Sequence, residues 1–277
     1  MGRYYLPPQI LVLVALLAAV GALLLVLARP AAGSEQPASS GDVASAPVAV
    51  AQAALVSAVE PVAEPEAAPA PAPVVDPGFL VLRPSAGKRV VLRARPGGAV
   101  VARVDATTEF GSPATLAVAA KRGRWLGVVS TLLPNGRLGW VDSQAGTFRK
   151  SRTRVSVTVD LSARRLVVRS GDRVLRRVTV AVGRPGSSTP TGRFAVTDKL
   201  AGSRYSAAYG CCILALSAHQ PSLPSGWRGG DRIAVHGTND PGSIGTAASA
   251  GCPRASEADM RFLLRAVPLG APVFVRA

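Results

Sequence analysis

The 22 residues from Ile233 to Arg254 read IAVHGTNDPGSIGTAASAGCPR, and they hold the best-placed reactive side chains of the chain. With two His and three Cys in 277 residues, any chemistry that needs a base or a thiol has few candidates. His236 ends the apolar run Ile233-Ala234-Val235, and Cys252 lies in Ser249-Ala250-Gly251-Cys252-Pro253-Arg254. A helix is expected just after it, capped by Ser256 with Asp259 three residues on, and running through Met260, Leu263 and Leu264 until Pro268 stops it. A thiol in a turn close to a helix start is expected to have a depressed pKa and backbone N–H groups at hand for an anion. Such a pair supports acyl transfer: imidazole takes the thiol proton, thiolate attacks a carbonyl, and N–H groups hold the tetrahedral oxyanion. Taken alone, the pair also fits a buried Cys packing as a small hydrophobe and a His that merely ends a strand.

Upstream of this stretch the texture is β. Val155, Val157 and Val159 alternate with Ser156, Thr158 and Asp160, and Leu166-Val167-Val168 turns through Ser170-Gly171-Asp172 into Val174-Leu175 and Val178-Val180-Val182. This predicts paired antiparallel strands with one buried face. Residues from Gly183 to Asp231 read as a long irregular region. Between Gly78 and Val141 lie short apolar runs closed by turn residues such as Arg95-Pro96-Gly97-Gly98 and Pro134-Asn135-Gly136, the pattern of a small barrel.

The N-terminal third differs. Residues 10–28, ILVLVALLAAVGALLLVLA, carry no charge over 19 positions, about 28 Å as a helix, long enough to span a bilayer. Arg3 and the terminal amine precede the run, which favours an inside N-terminus and an outside body. Ala31-Ala32-Gly33 offers a cleavage site, in which case the chain is secreted. Residues 30–77 hold 15 Ala, 9 Pro, six acids and no Lys or Arg, the composition of a disordered tether. The expected layout is therefore a cytoplasmic N-terminus over 1–9, a transmembrane anchor over 10–28, an Ala/Pro linker over 29–77, and folded modules over 78–151 and 152–277.

The chain carries a formal charge of +16, with 28 Arg against 4 Lys, and residues 78–277 alone reach +20. A basic block can face nucleic acid, an anionic membrane or an anionic polymer. A body held outside the cytoplasm has no access to genomic DNA, so nucleic acid is excluded as a partner. The two His and three Cys fall in no ligand spacing, so neither a metal nor another cofactor is expected.

The string from His236 through Gly245, followed by Ser249-Ala250-Gly251-Cys252-Pro253-Arg254, resembles the L,D-transpeptidase family with the YkuD fold. Thr189-Pro190-Thr191-Gly192-Arg193-Phe194 is similar to that family's earlier Thr-Pro-x-Gly-x-Phe segment, and the likeness spans about residues 153–277. Trp125-Leu-Gly-Val-Val with Asn135-Gly-Arg-Leu-Gly-Trp140-Val resembles bacterial SH3-like modules. Trp125 and Trp140 read there either as barrel core or as stacking platforms for wall sugars.

The resemblance implies a mainly β chain: a YkuD-like β-sandwich catalytic domain with one or two short helices behind an SH3-like barrel. It makes Cys252 the nucleophile, His236 the general base and the Gly237 carbonyl the group that orients the imidazole. Backbone N–H groups around Gly251 and Cys252 form the implied oxyanion hole, Ser249 and Thr238 belong with them to the oxyanion-hole and substrate-binding set, and Arg254 anchors a substrate carboxylate or braces the loop. The implied substrate is a peptidoglycan stem tetrapeptide. Its third-residue carbonyl is attacked, the terminal D-Ala leaves, and the acyl group passes to an amine, in a 3→3 cross-link or in the attachment of another amine. The rivals are an L,D-carboxypeptidase that resolves the same acyl-enzyme with water, and a non-catalytic wall-binding scaffold. A monomer is expected.

Three features depart from the family pattern. Pro253 stands where a branched aliphatic residue is usual, and it has no N–H to give. Ala250 stands where His or Lys is frequent. Cys211-Cys212 is extra, read either as two buried small hydrophobes or as a partner for Cys252 in a silencing disulfide. His219 reads as a loop residue with a local hydrogen bond or as part of the acceptor side of the pocket.

Overall fold

A computed structural model describes residues 78–223, 225–227 and 229–277. The anchor expected over 10–28 and the linker over 29–77 lie outside them. Among the described residues no helix is long and apolar enough to cross a membrane. All described residues fall in one compact unit, Pro69–Ala277.

The first module contains β1 (Phe79–Pro84), β2 (Val90–Arg93), β3 (Val100–Val104), β4 (Leu116–Arg122), β5 (Trp125–Val128), β6 (Gly139–Asp142) and β7 (Phe148–Thr153). They form one sheet in the order β3-β2-β6-β5-β4-β1-β7. Leu82, Val90, Leu92, Leu126, Val128 and Val141 fill its core. Trp140 is buried under the Arg122 guanidinium, and Trp125 is half-buried beside Arg124. Strand β7 reads FRKSRT with its four central positions exposed, so it carries no apolar alternation to announce it. It is an edge strand held by six register pairs to β1.

The second module comprises β8 (Val155–Asp160), β9 (Arg165–Ser170), β10 (Arg173–Thr179), β11 (Val182–Gly183), β12 (Gly192–Ala201), β13 (Cys212–His219), β14 (Arg232–His236), β15 (Ala247–Ser249), α1 (Glu257–Ala266) and β16 (Pro272–Arg276). Val157 and Val159 are fully buried while Ser156 and Thr158 are not, which is the alternation the sequence shows. The β9–β10 hairpin turns on Gly171 and Asp172, with Gly171 at φ +54°, a left-handed value that suits glycine.

Two expectations are corrected. The region from Gly183 to Asp231 is not irregular throughout, because it contains β12 and β13, the middle of the core. Strand β13 is buried on both faces from Cys212 to Ala218, so it shows a continuous apolar run rather than alternation. In place of the expected sandwich, and beside a short parallel pair of β11 and β15, stands one seven-stranded sheet, β10-β9-β8-β16-β12-β13-β14, with β16 parallel to β8. Register shifts between Val196 and Asp198 and between Ala215 and His219 interrupt its ladder; such irregularities bend a sheet, here into a half-barrel. Phe194, Leu214, Leu216, Ile233, Met260 and Leu263 are buried within it, each contributing about 1.5–3 kcal/mol of apolar burial. Helix α1 lies against β13 and is capped as expected: Asp259 N–H donates to Ser256 Oγ at 3.1 Å.

The modules meet along β4 and β12. Arg193 donates to the carbonyls of Ala119 and Val118 at 3.0 and 2.8 Å, and Ala117, Val129 and Ala195 form a shared apolar cluster. His219 belongs to this junction: its ring contacts Asp231 Oδ2 at 2.9 Å and the Thr131 carbonyl at 2.8 Å. Asn135 brackets its backbone, donating to the His219 carbonyl at 2.6 Å and accepting its N–H at 2.9 Å. His219 therefore ties β13 to the first module, which neither sequence reading of it anticipates.

Candidate active site

Strand β14 brings the apolar run to the sheet edge, and the segment after β15 returns beside it in parallel. His236 N–H donates to the Pro253 carbonyl at 3.1 Å, and Ala255 N–H to the His236 carbonyl at 2.9 Å. This aligns Arg254 with His236 and Cys252 with Ala234, two residues earlier on each segment. Ala234 N–H points at Cys252 Sγ at 3.4 Å. Pro253 thus has no N–H to donate here, but its carbonyl forms one of the bonds that place His236.

Cys252, His236 and Arg254 line one cleft of about 390 Å³, together with Tyr209, Ser249 and Gln220. Burial lowers the His236 pKa to about 4, helped by the Arg254 charge and opposed by the bond to Gly237. The imidazole is therefore neutral at pH 7. Its Nδ1 lies 2.5 Å from the Gly237 carbonyl, which can only accept. Nδ1 must carry the proton, and Nε2 keeps its lone pair.

The Cys252 thiol is pushed up from its ordinary pKa by burial, against the opposing pull of the Ala234 N–H and the Arg254 charge. This corrects the expectation of a depressed value. Helix α1 starts only at Glu257, and its first-turn Asp259 N–H is already taken by Ser256, so little of the helix end acts on the sulfur. Cys252 is free, and Cys211 and Cys212 are disulfide-bonded to each other. This overturns both the silencing pair with Cys252 and the reading of two unpaired hydrophobes.

The other candidate residues divide. Ser249 Oγ accepts the Gly251 N–H at 3.1 Å, so that N–H is occupied within the loop and not open to an oxyanion. Thr238 binds its own turn, with Asp240 N–H donating to its Oγ1 at 3.0 Å. The Arg254 backbone pairs with Ala181 in both directions, at 2.9 and 3.1 Å. Its Nε is buried with no hydrogen-bond partner among the described residues.

Gln220 and Tyr209 were missed by sequence reasoning. Gln220 Nε2 reaches the carbonyls of Ala250, Ser188 and Ser187 at 2.9, 3.2 and 3.3 Å, clamping the Cys252 loop to the segment after β11. Gly251 sits at φ +125°, where a Cβ would run into the Gln220 amide. Thr189 completes the clamp, donating to the Gly251 carbonyl at 2.6 Å while accepting the Gly183 N–H at 3.0 Å. The Tyr209 ring meets His236 edge-on at 4.8 Å. Burial and the negative charge of a Cys252 thiolate both raise the Tyr209 pKa, so its hydroxyl stays protonated.

The sequence pattern of the YkuD L,D-transpeptidase catalytic domain matches residues 154–275. A Bacillus subtilis protein provisionally named L,D-transpeptidase YkuD is 30% identical over 119 residues, which is 43% of this chain and 64% of that protein. The chain thus spans just under two thirds of that relative. An L,D-transpeptidase structure from Mycobacterium smegmatis aligns over 72% of this chain and 99% of its own at 19% identity and a TM-score of 0.39. Another, the L,D-transpeptidase LdtMt1 solved with imipenem, covers 71% of this chain and 82% of its own at 17% identity and a TM-score of 0.39. Scores of that size carry no argument, and the family match rests on sequence. Residues 154–275 belong to the L,D-transpeptidase catalytic domain family.

Proposed function

We propose that the chain is a cell-envelope cysteine transpeptidase that acts on peptidoglycan stem peptides through a Cys252 thioester. The observation that carries this reading is the His236 tautomer. A neutral imidazole with Nδ1–H fixed on Gly237 offers Nε2 as a base in the cleft that holds Cys252.

Both pKa shifts favour the neutral thiol and imidazole over a resting ion pair. Nε2 takes the Sγ proton as sulfur attacks the carbonyl carbon of the third stem residue. The bond to the terminal D-Ala breaks, and its amine leaves with the proton from the imidazolium. An acceptor amine then attacks the thioester, Nε2 takes its proton, and the thiolate departs and is reprotonated.

With Gly251 N–H bound to Ser249 and Pro253 lacking one, the donors left for the oxyanion are the Cys252 N–H and the protonated Tyr209 hydroxyl. The Arg254 guanidinium, whose Nε has no hydrogen-bond partner among the described residues, suits a stem carboxylate. The apolar run 10–28 would hold this domain outside the membrane, with residues 78–151 acting as an SH3-like module.

Intact mass of the full chain after incubation with imipenem tests the reading. One stable adduct, absent from Cys252→Ala, supports an activated thiol. A folded protein that forms no adduct overturns it in favour of a wall-binding scaffold.

A further inference from the structure

The first module reaches the cleft of Cys252 with one loop. Residues Thr107 and Pro113 pair as a short bridge, and within it Thr108 N–H donates to the Ser112 carbonyl at 2.8 Å and Gly111 N–H to the Thr108 carbonyl at 3.0 Å. This tight turn presents Phe110 at its tip. Two side chains tether it to the catalytic module. Thr108 Oγ1 donates to Asp198 Oδ1 at 2.5 Å, and Glu109 forms an ion pair with Arg232.

Arg232 is the seat of the loop. Its guanidinium lies 5.8 Å from the Phe110 ring centre, and it also donates to Thr197 Oγ1 and the Leu216 carbonyl at 2.8 Å. Its own backbone carbonyl is 3.9 Å from Cys252 Sγ. One residue thus touches the reactive sulfur with its backbone and the loop of the other module with its side chain. With Glu109 paired and Asp198 Oδ2 3.9 Å away, the Arg232 charge has carboxylate partners, and the Phe110 ring lies over its guanidinium.

Phe110 is 36% exposed and meets Tyr205, 50% exposed, edge-on at 6.1 Å. Leu223 and Trp227 are exposed too, and all four line the cleft that holds Cys252. Among the described residues, four of the seven exposed large apolar side chains therefore gather at one opening. Scattered exposed hydrophobes need no explanation, but a cluster at the mouth of a reactive cleft marks a contact surface.

We infer that Phe110, carried on the Thr107–Pro113 loop of the first module, is a substrate-contacting residue whose ring, with Tyr205, takes the methyl and methylene groups of the stem peptide. The first module then completes the cleft and sets its specificity. This rests on the transpeptidase reading for the identity of the ligand, while the imipenem adduct tests that reading separately.

The experiment measures equilibrium binding of a stem tetrapeptide to the full chain carrying Cys252→Ala, with and without Phe110→Ala and Phe110→Tyr. Iodoacetamide alkylation of Cys252 is timed in the matching chains that keep the thiol. Phe110→Ala is expected to weaken binding about tenfold, the size of loss common when a contact aromatic is truncated. Phe110→Tyr should restore it to within about twofold, and alkylation should be the same in all. Unchanged affinity in Phe110→Ala overturns the proposal, as does slowed alkylation, which would make Phe110 a structural prop of the thiol. If the parent chain binds no tetrapeptide the proposal also falls, whereas an imipenem adduct would leave the transpeptidase reading standing.

Discussion

Two loops converge on the cleft, and they are held in opposite ways. The loop carrying Cys252 is locked by buried polar side chains onto backbone, Thr189 on Gly251, Gln220 on Ala250 and Ser249 on Gly251, and by the backbone pairing of Arg254 with Ala181. The loop carrying Phe110 hangs on two side-chain tethers at its base and leaves its aromatic tip partly exposed. The difference matches the two tasks proposed for them. A nucleophile must be held to a fraction of an ångström, whereas an apolar contact tolerates slack, because burial of C–H surface is not directional. Changes in the first loop should therefore act on chemistry and stability together, and changes in the second on affinity alone.

The largest effect is expected at the proposed base. In that mechanism His236→Ala leaves the Cys252 proton without an acceptor, and it should slow imipenem acylation by about 10²–10⁴-fold. The pH profile of the parent chain sharpens this. With neutral His236 as the proposed active form and its pKa lowered to about 4, acylation should persist as pH falls past the ordinary histidine range. It should then be lost as pH drops through about 4. A limb near 6.5 would show that His236 is more hydrated than its burial indicates, and would remove the argument that proton transfer accompanies attack.

Next comes the clamp. Gln220→Ala removes the amide that bonds three carbonyls and leaves them facing a hole, for a loss of about 1–3 kcal/mol. Thermal unfolding should register that loss, and acylation should slow with it. A variant that loses stability but acylates at the parent rate would show that the Cys252 loop keeps its shape without Gln220, and the contrast between the loops would weaken.

How much of this could be read in the chain follows from how local each feature is. The pairing of His236 with Gly237, the turn at Gly171 and the Ser256 cap lie within a few residues, and strand β8 shows its alternation directly. Strand β13 hides because it is buried on both faces, and β7 because it is buried on neither. Gln220, Tyr209 and Phe110 reach the cleft from 32, 43 and 142 residues before Cys252, and no spacing rule links a lone Gln, Tyr or Phe to a thiol at such distances. The Cys252 pKa runs against the sequence expectation because burial, a property of the whole fold, outweighs the helix start that the sequence displays.

The smallest effect separates the two tethers of the Phe110 loop. Glu109→Gln breaks the ion pair to Arg232, but the Glu109 side chain is half exposed, and such pairs contribute about 1 kcal/mol at most. Arg232 keeps its bonds to Thr197 and Leu216, and Thr108 keeps its bond to Asp198, so the turn should stay seated with Phe110 slightly loosened. Unfolding temperature and imipenem acylation should match the parent, and tetrapeptide affinity should fall by about twofold. A loss as large as that of Phe110→Ala would mean that the exposed ion pair, rather than the Thr108–Asp198 bond, fixes the loop. Because exposed pairs are screened by salt and buried hydrogen bonds are not, raising the ionic strength on the parent chain would then reproduce the defect. If Thr108 is the anchor, salt should leave the affinity where it was.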